Sequence, residues 1–399
     1  MSQATMRHER QVELLRRLQG IDAPRPGPLG PASMHNPVTA YTSPARFRAE
    51  LDVLFQSRPV LVALSCELRA PGSYITLQVG AVPLAVVRQA DGGVRAFVNV
   101  CRHRGSTLLE DPAGEGLRSI RCPYHAWTYG LDGCLRAFPG AEPGFDDIDK
   151  ATHGLIEVPT AEGFGLVFAI ADPAASPFTA ADALHGAEDE IADFDVGAYA
   201  HVDSREREWA VNWKLVMDTF TEPYHIPWLH KDSIAPYYLF DRWIHDAYGP
   251  HQRFIGTRKS VLAEFEKASE DDWDLLPHGT IQYLLVPNAV LTHQLDHLEL
   301  WRLVPLAPDR TLVRTSVYAP PGATRPRSYF VKNLDILLGV TNSEDFPMQE
   351  RVQRNLASGA VPEVVYGKME PALVAYHQAI DELLADRDSP RGLRPHRVT

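Results

Sequence analysis

The chain has 399 residues, 45% of them hydrophobic, which is more than one core usually holds and implies two domains with ordinary packed interiors. Its 39 basic and 51 acidic residues leave a net charge of -12, so phosphate backbones and anionic lipid are repelled and nucleic acid is not an expected partner. No apolar run approaches the roughly 20 residues of a membrane helix, and the opening MSQATMRHERQVELLRR has no apolar signal core, so the expected location is cytoplasmic, away from the membrane.

In chain order, residues 8–18 set Val12, Leu14, Leu15 and Leu18 among charges and predict a short amphipathic helix. Residues 21–37, rich in proline and glycine, predict an extended arm. From about Val60 to Phe168 short β-like runs follow, at 73–79, 82–87 and 94–98, split by glycine-containing turns. Residues 186–199 are acidic and read as a solvated linker or surface helix. A helix is predicted over 213–224 and strands over 280–286, 297–306 and 311–319. Helices over 328–356, interrupted at Pro347, and over 368–385 close the chain, which has no internal repeat.

Four cysteines, Cys66, Cys101, Cys122 and Cys134, are too few for a disulfide framework in a chain this long. Two of them sit beside histidines, in CRHRG at 101–105 and CPYHAW at 122–127. Each loop offers one thiolate and one imidazole. A cluster with two thiolates on one iron and two neutral imidazoles on the other needs that set, because the imidazoles remove negative charge and raise the reduction potential. Zinc sites instead pair like with like, as Cys-x2-4-Cys and His-x3-5-His, and fit less well. Cys66 and Cys134 receive no role.

Downstream, NWKLVMDTFTEPYHIPWLH at 212–230 offers Glu222, His225 and His230. A reactive iron that binds O2 is commonly held by two histidines and one carboxylate on one face. Five residues apart on a regular helix, His225 and His230 would diverge by about 140°. Joint ligation therefore requires the helix to end between them, and Pro227 is the expected break. Taken alone, the pair is equally compatible with two surface or core histidines.

The C-x-H-R-G and C-P-Y-H-x-W loops resemble those of the Rieske non-haem iron oxygenases, of the aromatic-ring-hydroxylating alpha-subunit type, and the N-W-K-L…D-x-F-x-E-x-Y-H-x4-H string is similar to that family's catalytic-iron segment. Respiratory Rieske proteins carry an extra cysteine in each loop, where this chain has Ser106 and Tyr124, so the resemblance is to the lower-potential, oxygenase kind. The 18 residues between His103 and Cys122 imply a longer loop through 111–117. The fold implied is α+β: an all-β Rieske domain at 46–168 beside a helix-grip catalytic domain at 169–399 with a large antiparallel sheet. Residues 1–45 would form a helix and arm packing on the catalytic domain.

The same resemblance implies a [2Fe-2S] cluster on Cys101, His103, Cys122 and His125, and a mononuclear Fe(II) on His225, His230 and a downstream aspartate. In SEDFPMQERVQ at 343–353 Asp345 is the best match for that aspartate, with the adjoining Glu344 as its competitor. Glu222 takes the place of the acid that bridges a cluster histidine of one subunit, His125, to an iron histidine of its neighbour, His225, which implies a homotrimer. Many members have aspartate there; glutamate resembles the branch with carnitine and choline oxygenases. Asp218 is a candidate to support the ligands without touching the metal. Gly163-x-Gly165 lacks the third glycine of a dinucleotide site, so an NAD(P)H-dependent reductase, with or without a ferredoxin, is the expected electron source, with O2 and a small organic substrate.

The activity this implies is that of a terminal oxygenase hydroxylating a small aromatic compound, by mono- or dioxygenation. A monooxygenase or demethylase of a quaternary ammonium compound of betaine, carnitine or choline type is the alternative, and a Rieske electron carrier without oxygenase activity is a second. Trp228, Tyr237, Tyr238, Phe240 and Trp243 are candidates to line a pocket for a ring or, through cation–π contact, for an alkylammonium. His293, Asp296 and His297 read as strand-end or pocket-lining residues rather than a second metal site.

Overall fold

Runs of valine, leucine and isoleucine between Val60 and Ala169 fold into short antiparallel strands because each can bury one face or both against a neighbour. The computed structural model describes residues 6–21, 28–140 and 144–386. Two units result: Leu51–Ala183 with Val196–Ala198, and the rest of the chain.

In the first unit, a five-stranded sheet runs in the order Glu157–Val158, Val94–Val98, Val82–Arg88, Tyr74–Val79 and Ala113–Gly114. A three-stranded sheet is built of Thr160–Gly163, Leu166–Ala169 and Val60–Leu64. Val62, Leu68, Ile75, Leu84, Val86, Ala96 and Val167 form the shared core. The long loop through 111–117 is pinned as an extra strand against Tyr74 and Ile75. There Gly72 has φ +82°, and a Cβ on it would come 2.2 Å from the Leu117 carbonyl oxygen, so only glycine fits. A third small sheet, Ile120–Arg121, Thr128–Tyr129 and Leu135–Ala137, carries the second Cys/His loop on its first hairpin.

The second unit is organised on a seven-stranded antiparallel sheet in the order Ala200–Trp209, Arg310–Ala319, His297–Ala307, Ala289–Gln294, Gly279–Leu285, His251–Arg258 and Tyr238–Tyr248. The helix Arg327–Val340 covers one face, where Phe330 and Leu334 pack on Val202, Val317 and Ala319. On the opposite face Phe194 stacks on His293 and meets Tyr283 edge-on. The helix His8–Gln19 buries Leu14, Leu15 and Leu18, and Arg17 pairs with Asp246.

Several elements differ from expectation. Residues 34–37 of the predicted arm are a strand paired with Glu363–Tyr366, while 22–27 lie outside the described residues. The acidic stretch is no solvated linker: its helix Glu188–Asp193 buries Ile191, and Glu190 and Asp193 pair with Arg253 and Arg10. The long C-terminal helix breaks at a wide, π-type turn over Thr341–Asp345, before Pro347. Pro347 itself sits in the first turn of Phe346–Ala357, where its missing N–H costs nothing. Among the described residues, no helix is long and apolar enough to cross a membrane.

Candidate metal centres

The two Cys/His loops share one backbone plan. Cys101 N–H donates to the Ser106 carbonyl and Gly105 N–H returns to the Cys101 carbonyl, at 2.8 and 3.0 Å. Cys122 N–H donates to Trp127 and Ala126 N–H returns to Cys122, at 2.8 and 3.1 Å. Gly105 and Ala126 both take left-handed backbone angles, φ 74° and 57°, which turn each loop back on itself. The plan sets each histidine beside its own cysteine.

Both cysteines are buried, and the His103 and His125 rings meet edge-on at 4.7 Å between centroids. His103 stacks on Trp127, fixing its plane. The Nδ1 atoms of His103 and His125 are buried with no hydrogen-bond partner among the described residues. Two orphaned imidazole nitrogens beside two buried thiols are what a cluster taking one N and one S from each loop requires. Tyr129 OH lies 3.4 Å from Cys101 Sγ. Burial and the neighbouring thiol push its pKa up, so it remains a donor to that sulfur, an interaction that raises a cluster's potential.

The other set of residues is assembled from distant segments of the second unit. Asn212 Oδ1 caps the helix Trp213–Asp218 by accepting from Lys214 N–H. The same helix is anchored below by the fully buried Lys214, whose ammonium lies 2.6 Å from Glu50. At its end Asp218 accepts from Tyr41 OH at 2.5 Å and pairs with His377 at 2.9 Å. Asp218 therefore anchors the chain just before the ligand segment.

The helix ends at Asp218 rather than continuing to Tyr224, because Pro223 follows within the next turn. Pro227 is no break. It lies in the first turn of a new short helix, Ile226–Leu229, with His225 at its entry and His230 at its exit. The two histidines thus flank a single turn, with ring centroids 5.1 Å apart.

Asp345 Oδ1 lies 3.5 Å from His225 Nε2 and 3.0 Å from His230 Nε2. One ligand atom from each of the three falls within 4.8 Å of the others. Behind them, each Nδ1 meets a carboxylate: Glu222 Oε1 at 2.5 Å for His225, Glu344 Oε2 at 2.6 Å for His230. Such partners fix which nitrogen is free for a metal and make it more basic. Glu344, the competitor for ligand, stands behind a histidine while Asp345 faces the shared point. Burial opposes charging His225, but hydrogen bonds to Asp345 and Glu222 outweigh it and raise its pKa to about 10. Two imidazoles and a carboxylate on one side, with His225 still partly exposed, suit a metal with an open face.

Of the aromatic pocket candidates, Trp228 and Tyr237 are 73% and 66% exposed in this chain and Trp243 is stacked on Phe254. Sequence reading missed a run of ring contacts that reaches the residue after Asp345: Phe220 lies 5.2 Å from Trp301, which lies 6.0 Å from Phe346. His293 and His297 are separated by a turn in which Leu295 has φ 56° and face opposite sides of the sheet, which explains why they form no metal set.

Residues 58–160 match the Rieske [2Fe-2S] domain, and residues 196–386 match the catalytic domain of the ring hydroxylating alpha subunit. The glycine betaine monooxygenase oxygenase subunit of Chromohalobacter salexigens is 29% identical over 83% of this chain and 81% of its own. The large oxygenase component of the naphthalene 1,2-dioxygenase system of a Ralstonia species is 34% identical, over 47% of this chain and 43% of its own. In fold, the chain is similar to the crystal structure of a quaternary ammonium Rieske monooxygenase, with TM-score 0.77 and 24% identity over 89% of this chain and 96% of that one.

Proposed function

The chain belongs to the Rieske oxygenases, oxidoreductases that incorporate O2, and from that premise we propose that it is the terminal component of a quaternary ammonium monooxygenase. The observation that carries this reading is coverage. Sequence likeness to the glycine betaine enzyme covers 83% of the chain and both domains, whereas sequence likeness to the naphthalene enzyme covers 47%. The small aromatic substrate expected from the motifs gives way on that ground to the alkylammonium alternative. The contacting rings of Phe220, Trp301 and Phe346, the last of them next to Asp345 in sequence, support it, since an aromatic face attracts a cation with no hydrogen to donate.

In this reading Cys101, His103, Cys122 and His125 hold the cluster, and His225, His230 and Asp345 hold the mononuclear iron. The cluster supplies electrons one at a time and the iron supplies the centre at which O2 is used. The protein's part is to fix geometry. Glu222 and Glu344 orient the two imidazoles and keep their Nε2 atoms turned inward, and the aromatic residues hold substrate at the open face. Glu222, bonded to an iron histidine at one end, is the bridge to a cluster histidine of a neighbouring subunit in a homotrimer. The exposure of Tyr224 and Trp228 beside it supports a covering partner. A reductase drawing on NAD(P)H, with or without a ferredoxin, completes the system in the cytoplasm.

The test is substrate-dependent NADH and O2 consumption with a surrogate reductase across a panel of betaines and aromatic acids. Coupled consumption with a betaine and none with the aromatic acids is expected. The opposite preference returns the chain to ring hydroxylation.

A further inference from the structure

Residues directly paired across an antiparallel ladder point to the same face. In the large sheet Gln282 pairs with Thr292, Thr292 with Glu299 and Glu299 with Val317. Val317 packs on Phe330 and Leu334, so the whole row lies on the face covered by the helix Arg327–Val340. Two residues along the same strand and on the same face is Trp301, whose ring meets Phe220 and Phe346, the residue after Asp345. The row therefore continues the sheet face that carries Trp301.

A carboxylate here is unexpected. Glu299 is 2% exposed, and burying a charge costs several kcal/mol unless it is paired. His297 Nε2 lies 3.3 Å from Glu299 Oε1, but its Nδ1 also serves Asp296 Oδ1 at 3.1 Å. Two carboxylates share one imidazole, Asp296 at its solvent-facing end and Glu299 at its buried end. Burial works against protonation of the ring, yet the two acids outweigh it and lift His297 to about 9. Next to Glu299, Thr292 is equally buried, and its Oγ1 has no hydrogen-bond partner among the described residues. A buried hydroxyl without a partner signals something that belongs there.

We propose that Glu299 is the anionic partner of the substrate's quaternary nitrogen, and that Thr292, with Gln282 next in the row, donates to the substrate's carboxylate. This assignment rests on the quaternary ammonium reading and narrows it to a small zwitterion. The row runs from acid to hydroxyl to amide across adjacent strands spaced about 4.8 Å apart. It offers an acceptor-only group for the cation and donors for the anion within the length of a short betaine.

Calorimetry on the iron-loaded protein tests it with three probes: glycine betaine, 3,3-dimethylbutanoate, which has the same shape with carbon in place of nitrogen, and tetramethylammonium. Wild-type protein is expected to bind glycine betaine about tenfold tighter than the isostere, and Glu299→Gln to bring that ratio near one with unchanged iron content. Thr292→Val is expected to weaken both carboxylates about fivefold and leave tetramethylammonium unaffected. A Glu299→Gln protein that keeps the wild-type ratio overturns the assignment of Glu299. Unaltered binding of both carboxylates by Thr292→Val overturns that of the donor, and decides the matter if Glu299→Gln does not fold. Wild-type protein that binds neither glycine betaine nor tetramethylammonium overturns the quaternary ammonium reading itself.

Discussion

The two candidate metal centres use histidine in opposite ways. In the Cys/His loops the Nδ1 atoms of His103 and His125 are buried and have no hydrogen-bond partner among the described residues. At the other centre the Nδ1 atoms of His225 and His230 are taken by Glu222 and Glu344, and the Nε2 atoms converge on Asp345. The difference follows from what positions each ring. A tight loop folding back on its own cysteine brings the nitrogen nearer the backbone inward and needs no carboxylate behind it. A pair of histidines on either side of one short helical turn has no such constraint, so acids from elsewhere must set the ring. One region is rigid because its backbone is; the other is rigid because carboxylates make it so.

The largest effects should separate the two regions cleanly. His103→Ala is expected to abolish the visible absorption and electron paramagnetic resonance of the cluster while mononuclear iron still binds. Asp345→Ala is expected to lower mononuclear iron affinity by more than about 100-fold, beyond the range seen for residues behind a ligand, and to leave the cluster spectrum intact. Loss of both signals in either variant would mean the regions do not fold independently, and the contrast would fail.

A smaller effect sharpens the contrast at the iron side. Glu344→Ala removes the carboxylate that holds His230 Nδ1 and the partner of Ser233 Oγ. Iron affinity should fall about 10–100-fold, with the iron still restorable at high concentration. If affinity instead drops as far as in Asp345→Ala, Glu344 is itself a ligand.

The same contrast explains what could be read from sequence. The loops at 101–105 and 122–127 are legible because the ligands and the backbone turn that aims them lie within six residues. Asp345 and Glu344 compete in the sequence, because adjacent acids differ only in direction, and that direction is set by the wide turn Thr341–Asp345, which no local pattern announces. From sequence Pro227 reads as a break because proline inside a helix breaks it, while proline in a first turn does not, and the choice depends on where the previous helix ends. In the large sheet, Gly279–Leu285, His297–Ala307 and Arg310–Ala319 alternated visibly, whereas Ala200–Trp209 was hidden by its charges. That strand lies at the sheet edge, where polar side chains on both faces are tolerated.

The smallest change in metal binding should accompany the most informative change in rate. Glu222 accepts from the His225 ring through Oε1 at 2.5 Å and from the His225 backbone N–H through Oε2 at 2.9 Å, and Glu222→Gln keeps one oxygen, enough to hold the ring. What it removes is the charge and the second acceptor. If Glu222 only orients His225, as Glu344 orients His230, the glutamine should be nearly silent in both iron content and rate. If it also joins two centres, iron content should stay within a few-fold while reoxidation of the reduced cluster, followed in a single turnover with substrate and O2, slows at least about tenfold, about 1.4 kcal/mol of barrier. Loss of iron from this variant would show instead that the charge of Glu222 is needed to hold His225 on the metal, and the slower reoxidation could then not be assigned to a bridge.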